Sequence, residues 1–189
     1  KTTWVAAGVL VNGSYRDRRL PFPFTDMFST VTWQDGVLRL EKITGGFGGT
    51  SISAHARISE FGAKPTLEIE IATDKILIDE DLLVGLPQDE VINSIRKTLG
   101  TYGPRGTAAI KYHYDNVGQT PRSHLDIQLL DMDLTYEKFP YTLKNATGFI
   151  QIHNSDIIVR DVLAKTHGRT FKISAEIKDS KIAPRGWLE

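Results

Sequence analysis

Apolar and polar residues alternate with a period of two along most of the chain. The alternation is clear in residues 51–58, 66–71, 125–129 and 170–177. Because successive side chains of a strand point to opposite faces, this period places the apolar residues on one buried face of a sheet. The pattern therefore predicts a mainly β protein.

Short turn signals separate the alternating segments. Asp35-Gly36, Asn154-Ser155-Asp156 and His167-Gly168-Arg169 contain residues that tolerate a positive φ or bond their own backbone. Connections this short join antiparallel strands, whereas parallel strands need a crossover of a dozen or more residues. We therefore expect antiparallel hairpins and meanders.

One segment has helical periodicity instead. Pro87 suits the first position of a helix, and Gly100 suits the position after its end. The apolar residues between them share one helix face: Val91, Ile92, Ile95 and Leu99. The pattern predicts one amphipathic helix, about 87–99, packed on the sheet. The preceding segment, 79–86, fits either a short helical turn or a loop with its leucines in the core.

Two parts of the chain resemble each other. Residues 38–58 and 157–177 match without a gap. Upstream, the aromatic–proline segment 20–24 corresponds to 139–141, and each is followed by a further strand, so each unit reads as a three-strand meander. A single meander exposes one apolar face and two open edges, so it has to pack on neighbours. We expect strongly curved antiparallel sheets built from repeated meanders. The first unit is predicted at about 1–78 and the second at about 104–180, joined by a helical link at about 79–103.

Two long strands are expected ahead of the second meander. Residues 106–114 and 125–134 read as strands that pair with each other. At Leu129-Leu130 the alternation changes phase, which is typical of a β-bulge. The counterpart in the first unit is 4–15, whose valines are the predicted buried positions: Val5, Val9 and Val11.

The composition is that of a folded polypeptide, with 40% apolar and 24% charged residues in 189. Lysine plus arginine and aspartate plus glutamate both number 23, so no net positive charge attracts nucleic acid. The absence of cysteine excludes thiol nucleophiles, thiolate metal sites and disulfides. No apolar run approaches the roughly 20 residues of a membrane-spanning helix. We interpret 1–187 as one β-rich fragment of a larger protein whose membrane anchor lies elsewhere, and 188–189 as a candidate tag remnant.

The histidines do not form a metal motif in the sequence. They are His55, His113, His124, His153 and His167. None is paired at helical metal spacing, and neither His-Glu-x-x-His nor His-x-His occurs. We interpret all five as solvent-facing or hydrogen-bonded side chains, and we expect no metal site and no cofactor.

Other chemical motifs have simpler interpretations. The acidic residues 79–81 fit a solvated helix lead-in, and Asp131 with Asp133 fits the exposed positions of a strand; neither group has calcium-loop spacing. Gly45 to Gly49 lacks the Lys-Ser/Thr and the helix of a phosphate loop and indicates a hairpin connection. No Gly-x-Ser-x-Gly elbow occurs. We therefore expect no catalytic residue and no enzyme activity.

The order of these motifs resembles a known family, the AsmA-like proteins of diderm bacteria, which are similar to bridge-like lipid-transfer proteins. The matching features span most of the chain: the strand after Gly106, Leu125-Asp126-Ile127, Phe139-Pro140-Tyr141, Gly148 and the strand after Gly168. The segment from Asp79 to Leu83, with Leu86-Pro87, resembles the link between such repeats. The resemblance implies a long curved β-groove with an apolar concave face. It also implies a periplasmic protein that is membrane-anchored in its full length.

Three functions follow as hypotheses. The first is a non-catalytic segment of an envelope protein that lines or supports a hydrophobic β-groove, for lipid transport or outer-membrane biogenesis. Its partners are lipid acyl chains or another envelope protein. The alternative is a protein-interaction or scaffolding module that binds through strand edges or the Gly-rich loop. The third, an enzyme on a β-scaffold, predicts a polar cleft in which histidines and carboxylates converge.

Overall fold

In the computed structural model the described residues form a single sheet of ten strands. The structure describes residues 4–16, 23–47, 50–62, 64–79, 82, 103–119, 121–135, 141–154 and 156–178. The strands are β1 (Val5–Tyr15), β2 (Phe24–Gln34), β3 (Val37–Phe47), β4 (Thr50–Ser59), β5 (Thr66–Ile78), β6 (Arg105–Asp115), β7 (Arg122–Thr135), β8 (Thr142–His153), β9 (Asp156–Thr166) and β10 (Arg169–Ile177). A 3-10 turn, Val117–Gln119, connects β6 to β7.

Each strand pairs with its neighbours in chain order, and every pairing is antiparallel. β1 and β10 are the two edges, so the sheet is not closed. The mainly β, antiparallel fold predicted from the alternation is therefore confirmed. The predicted helix at 87–99 lies outside the described residues, and so does most of the link at 79–103. Within the described part of the chain, no helix has the length and apolar character needed to cross a membrane.

Two hairpin turns have the backbone geometry that their sequences predict. Asp35 and Gly36 have φ angles of 50° and 75°, and His167 and Gly168 have φ angles of 48° and 76°. Two successive residues with positive φ are typical of a type I′ turn, whose twist matches that of the flanking strands. The turns fix the register of β2 with β3 and of β9 with β10.

The pairing of β7 to β10 repeats that of β1 to β4. Val5 pairs with Gln34, and His124 pairs with His153, so the offset between equivalent pairs is 119 residues (124 minus 5, 153 minus 34). The same offset relates the pairs on either side of the first bulge: Leu10 with Ser29 and Gly13 with Met27, against Leu129 with Gly148 and Met132 with Ala146. The register shift between Leu129 and Met132 contains the bulge predicted at Leu129-Leu130.

The bulges of the two halves also share their backbone conformation. Lys42 in β3 has a φ of 54°, and Asp161 at the equivalent position of β9 has a φ of 50°. Asp26 in β2 and Asn145 in β8 both have a φ of 51°. A bulge bends its strand and increases the local twist. The two halves are therefore bent at equivalent places.

The predicted burial of β1 is wrong. Val5, Val9 and Val11 are exposed, with 62%, 59% and 63% of their surface accessible. The register explains this, because Val5 lies opposite Gln34 and Val9 opposite Thr30, on the polar face of the sheet. β1 is also an edge strand, and Ala6 and Gly8 on its other face are exposed too, so the period of two does not predict burial there.

Candidate functional site

One face of the sheet is apolar across almost its whole width. Register pairing aligns side chains from β3 to β10 in a single apolar row: Ile43, Ala54, Ile71, Tyr112, Leu125, Ile152, Ile157 and Ile177. The neighbouring row, in β6 to β9, adds Ile110, Ile127, Ile150 and Val159. Alternation placed these residues on one face, and the register joins them into a continuous surface.

Much of this apolar face is packed in two clusters. The first joins β2 to β6 and includes Phe24, Met27, Ile43, Ile52 and Ile71. The second joins β5 to β10 and includes Ile76, Ala108, Leu129, Met132 and Val162. Leu82, from the segment after β5, packs against the second cluster. The apolar face therefore supplies the hydrophobic stabilisation of the described sheet.

Next to the clusters lies an area that is only half-buried: Tyr112 packs against the first cluster, and Ile110, Ile127 and Ile150 pack against the second. We call it the open strip; it consists of Ile110, Tyr112, Leu125, Ile127, Ile150 and Ile152. The strip crosses three adjacent strands, β6, β7 and β8.

A separate apolar recess of about 260 Å³ lies at the β1 edge. It is present because Ala6 and Gly8 are too small to fill the space beside Val31 and Trp33.

The opposite face carries most of the histidines in one row. His55, Glu70, His113, His124, His153 and Asp156 are successive register partners from β4 to β9. His55 Nε2 lies 3.6 Å from Glu70 Oε2, and Lys111 Nζ lies 3.1 Å from Glu70 Oε1. His167 is outside the row, at the turn between β9 and β10, with its ring against that of Tyr141. The sequence showed five isolated histidines; the register brings four of them together.

The centre of the histidine row is a cluster of four side chains from β7 and β8. His124 Nδ1 lies 2.8 Å from His153 Nδ1, and His124 Nε2 lies 2.9 Å from Asp126 Oδ2. Gln151 Nε2 donates to Asp126 Oδ1 at 2.8 Å. Burial raises the pKa of Asp126, but the hydrogen bonds from Gln151 and His124 outweigh burial and hold that pKa below its ordinary value. Asp126 is therefore an anion behind the histidine pair.

A second carboxylate, Asp115, is almost fully buried beside the row. Arg122 donates to its Oδ1 through Nε at 3.1 Å and Nη2 at 2.9 Å. His113 Nε2 lies 3.5 Å from Asp115 Oδ2. The hydrogen bonds from Arg122 hold the pKa of Asp115 below its ordinary value, although burial opposes them. This contact has a structural role, because it joins the end of β6 to the start of β7.

The acidic pair Asp131 and Asp133 supports a bulge. Asp133 Oδ1 accepts a hydrogen bond from the backbone N–H of Asn145 at 3.0 Å, and Asp131 Oδ1 accepts one from Asn145 Nδ2 at 2.9 Å. Asn145 is a positive-φ residue of β8.

Asp79, in the other acidic segment, accepts a hydrogen bond through Oδ1 from the backbone N–H of Leu82 at 2.9 Å. In the described ranges, no three or more of the histidines and carboxylates are placed to hold a metal ion together.

The Gly-rich segment belongs to a hairpin. Gly45 and Gly46 are within β3 and pair with Ile52 and Ser51 of β4. A polar recess of about 690 Å³ lies elsewhere, at the turns that follow β4 and β6. Its described lining includes Arg57, Glu60 and Glu68 but no histidine. This recess does not join the histidines and carboxylates that the enzyme hypothesis requires.

Comparison of the chain with protein-family models, with curated proteins and with solved structures gives no significant match.

Proposed function

We propose that the apolar face of the sheet accommodates lipid acyl chains, and that the chain is a non-catalytic segment of a curved apolar β-groove. The observation that carries this proposal is the open strip. Its six apolar side chains are contiguous, half-buried and free of charged residues across β6, β7 and β8. A contiguous apolar surface that is only partly covered is typical of a binding site.

The bulges support the curved shape. Equivalent bulges bend the two halves of the sheet at the same offset. Bulges are the usual means by which a long sheet becomes curved. A curved sheet with its apolar face inside forms a groove that shields hydrocarbon from water, while the polar face remains solvated.

The sequence resemblance to AsmA-like proteins adds the cellular setting to this proposal. On that basis the groove belongs to an envelope protein that faces the periplasm, with its membrane anchor in another part of the polypeptide. Its role is then lipid transport or outer-membrane biogenesis.

Lipid retention tests the proposal. We expect the purified chain, after incubation with phospholipid vesicles and removal of the vesicles, to retain phospholipid that extraction and mass spectrometry detect. Ile127→Glu is expected to reduce retention several-fold, because Ile127 pairs with Ile110 and Ile150 at the centre of the open strip. A buried carboxylate in this position is incompatible with an acyl chain.

The matched control for this test is Gln128→Glu. Gln128 is the next residue of β7 and is exposed on the opposite face, so this variant adds the same charge without touching the strip. We expect it to retain as much lipid as the unaltered chain. Retention no greater than that of an unrelated protein, or equal loss in both variants, would contradict the proposal.

A second candidate function is protein interaction at the β1 edge. β1 contains no charged residue and no proline, and its three outward valines are exposed. Edge strands normally carry charged residues or proline, because these residues prevent pairing with other chains. The β10 edge has charged residues, for example Lys172, whose Nζ lies 2.6 Å from Asp161 Oδ1 in β9. The β1 edge therefore suits the addition of a strand from a partner.

Self-association provides the test for the β1 edge, with a second copy of the chain as the simplest source of a strand. We expect the mass from light scattering to rise with concentration, and we expect Val9→Lys to abolish the rise because it places a charge on the edge. Ser174→Lys puts the same charge on the β10 edge and is expected to have no effect. A mass that is independent of concentration would exclude this mode of self-association.

A further inference from the structure

A pair of imidazole rings on the polar face places two nitrogen atoms within hydrogen-bond distance of each other. His124 of β7 and His153 of β8 are direct register partners. Their ring centroids are 3.8 Å apart, the rings are inclined by 51°, and the two Nδ1 atoms are 2.8 Å apart. His124 keeps 28% of its side-chain surface exposed. The pair is therefore accessible to a small solute.

The hydrogen bonds determine where the protons lie. An ionised carboxylate only accepts, so the contact between His124 Nε2 and Asp126 Oδ2 requires a proton on Nε2. With both rings in the neutral form, His124 then has a lone pair on Nδ1. The proton between the two Nδ1 atoms consequently belongs to His153. A single proton thus occupies the space between two nitrogen ligands.

The fold itself does not require these side chains. The repeat places Val5 and Gln34 at the positions equivalent to His124 and His153, with the same antiparallel pairing. At the position equivalent to Asp126, β1 has Ala7. Because the first half forms the same strand pair without the cluster, packing alone does not account for its presence in the second half.

We propose that His124 and His153 bind a divalent transition-metal ion of the kind that prefers imidazole, such as Zn²⁺, through their Nδ1 atoms, with water in the remaining positions. Zinc–nitrogen distances are about 2.0–2.1 Å, so two nitrogen ligands of a tetrahedral zinc lie about 3.3–3.4 Å apart. The two Nδ1 atoms have to separate by about half an ångström, and the rings have to turn so that both lone pairs face the ion, which side-chain rotation provides. On binding, His153 moves its proton from Nδ1 to Nε2, and no proton leaves the neutral pair.

Asp126 is the orienting group of this site. A carboxylate that accepts from the far nitrogen of a ligating histidine fixes its tautomer and strengthens its donor atom. Gln151 holds this carboxylate in place from β8. Two protein ligands give a site of modest affinity, and Cu²⁺ is expected to bind more tightly than Zn²⁺ according to the general order of metal affinities.

Titration of the chain with ZnCl₂ in a non-chelating buffer tests the proposal. We expect saturable binding of one ion per chain by isothermal titration calorimetry, and shifts of the imidazole nitrogen signals of His124 and His153 in NMR spectra. His153→Gln is expected to abolish binding. Asp126→Asn keeps both ligands and is expected to weaken binding by about 10–100-fold, the usual effect of losing such an orienting carboxylate.

The matched control is His55→Gln, which removes a histidine of the same row at its β4 end. We expect it to bind Zn²⁺ like the unaltered chain. The proposal is overturned if Zn²⁺ does not bind saturably, or if the double variant His124→Gln, His153→Gln binds it as tightly. The NMR shifts are measured on the unaltered chain, so they decide the question even if a variant fails to fold.

Discussion

Replacing Gly106 with alanine is expected to lower the free energy of unfolding by about 2–6 kcal/mol, as the combined effect of a strained backbone and an overpacked contact. Gly106 is in β6, at the centre of the sheet, where it pairs with Ile78 on one side and Met132 on the other. Its φ of 144° is one that residues with a side chain rarely adopt. A Cβ atom here would contact the carbonyl oxygen of Asp131 and lie 2.9 Å from Met132 Cα.

Urea denaturation of the variant measures this loss as a lower transition midpoint. Gly8→Ala is the control, because a Cβ atom at Gly8 meets nothing within 4 Å and its φ is not positive. We expect that variant to differ from the unaltered chain by no more than about 0.5 kcal/mol. If the two alanine variants were equally stable, the close approach of β6 to β7 at Gly106 would be wrong.

Ile76→Ala is expected to lower the free energy of unfolding by about 2–5 kcal/mol, the range for deleting a large side chain from a core. Ile76 is 2% exposed and is among the largest fully buried side chains of the described sheet. It pairs with Ala108, which is itself buried and too small to fill the space that remains. Equilibrium unfolding followed by circular dichroism measures the change.

Leu77→Ala is the control for this measurement, since it removes a side chain of the same size one residue later. Leu77 points to the opposite face and is 56% exposed. We expect a change within about 0.5 kcal/mol. Similar losses in both variants would show that β5 does not have the faces described above.

The sequence predicted the strands of this protein well because burial imposes a strict period. A strand such as β4, with Ile52, Ala54 and Ala56 facing the core, has only one way to bury its apolar residues. The turns at Asp35-Gly36 and His167-Gly168 were predictable for a different reason, since few residues adopt a positive φ without strain. Local chemistry determines both features.

β1 shows where this reasoning fails. Its residues are apolar on both faces from Val5 to Val11, so the period of two carries no information about direction. The register with β2 determines which face the valines occupy, because Thr30 and Gln34 of β2 lie opposite Val9 and Val5. A partner strand settles such a case, and the partner is known only after the register is known.

The histidine row was missed for a related reason. His113, His124 and His153 are distant from one another in sequence, and each was interpreted alone as a solvent-facing or hydrogen-bonded residue. Their alignment depends on the lengths of the hairpins between β6, β7 and β8. Counting across the predicted turn at 154–156 places His153 opposite Asp156 of β9. Its partner in β7 depends on the register of β7 with β8, which is shifted by bulges between Leu129 and Leu134.

The strand order has a consequence for how this protein gains and loses its structure. Since the strand order of the sheet is the order of the chain, each strand depends only on its immediate neighbours, as in a one-dimensional lattice. Most of its strand pairs close through short loops, which favours rapid formation of each pair. Disorder can then spread inward from β1 or β10 one strand at a time, while the strands between them stay paired. Insertion or deletion of whole strand pairs in the sequence can therefore lengthen or shorten such a sheet without changing the pairing of the other strands.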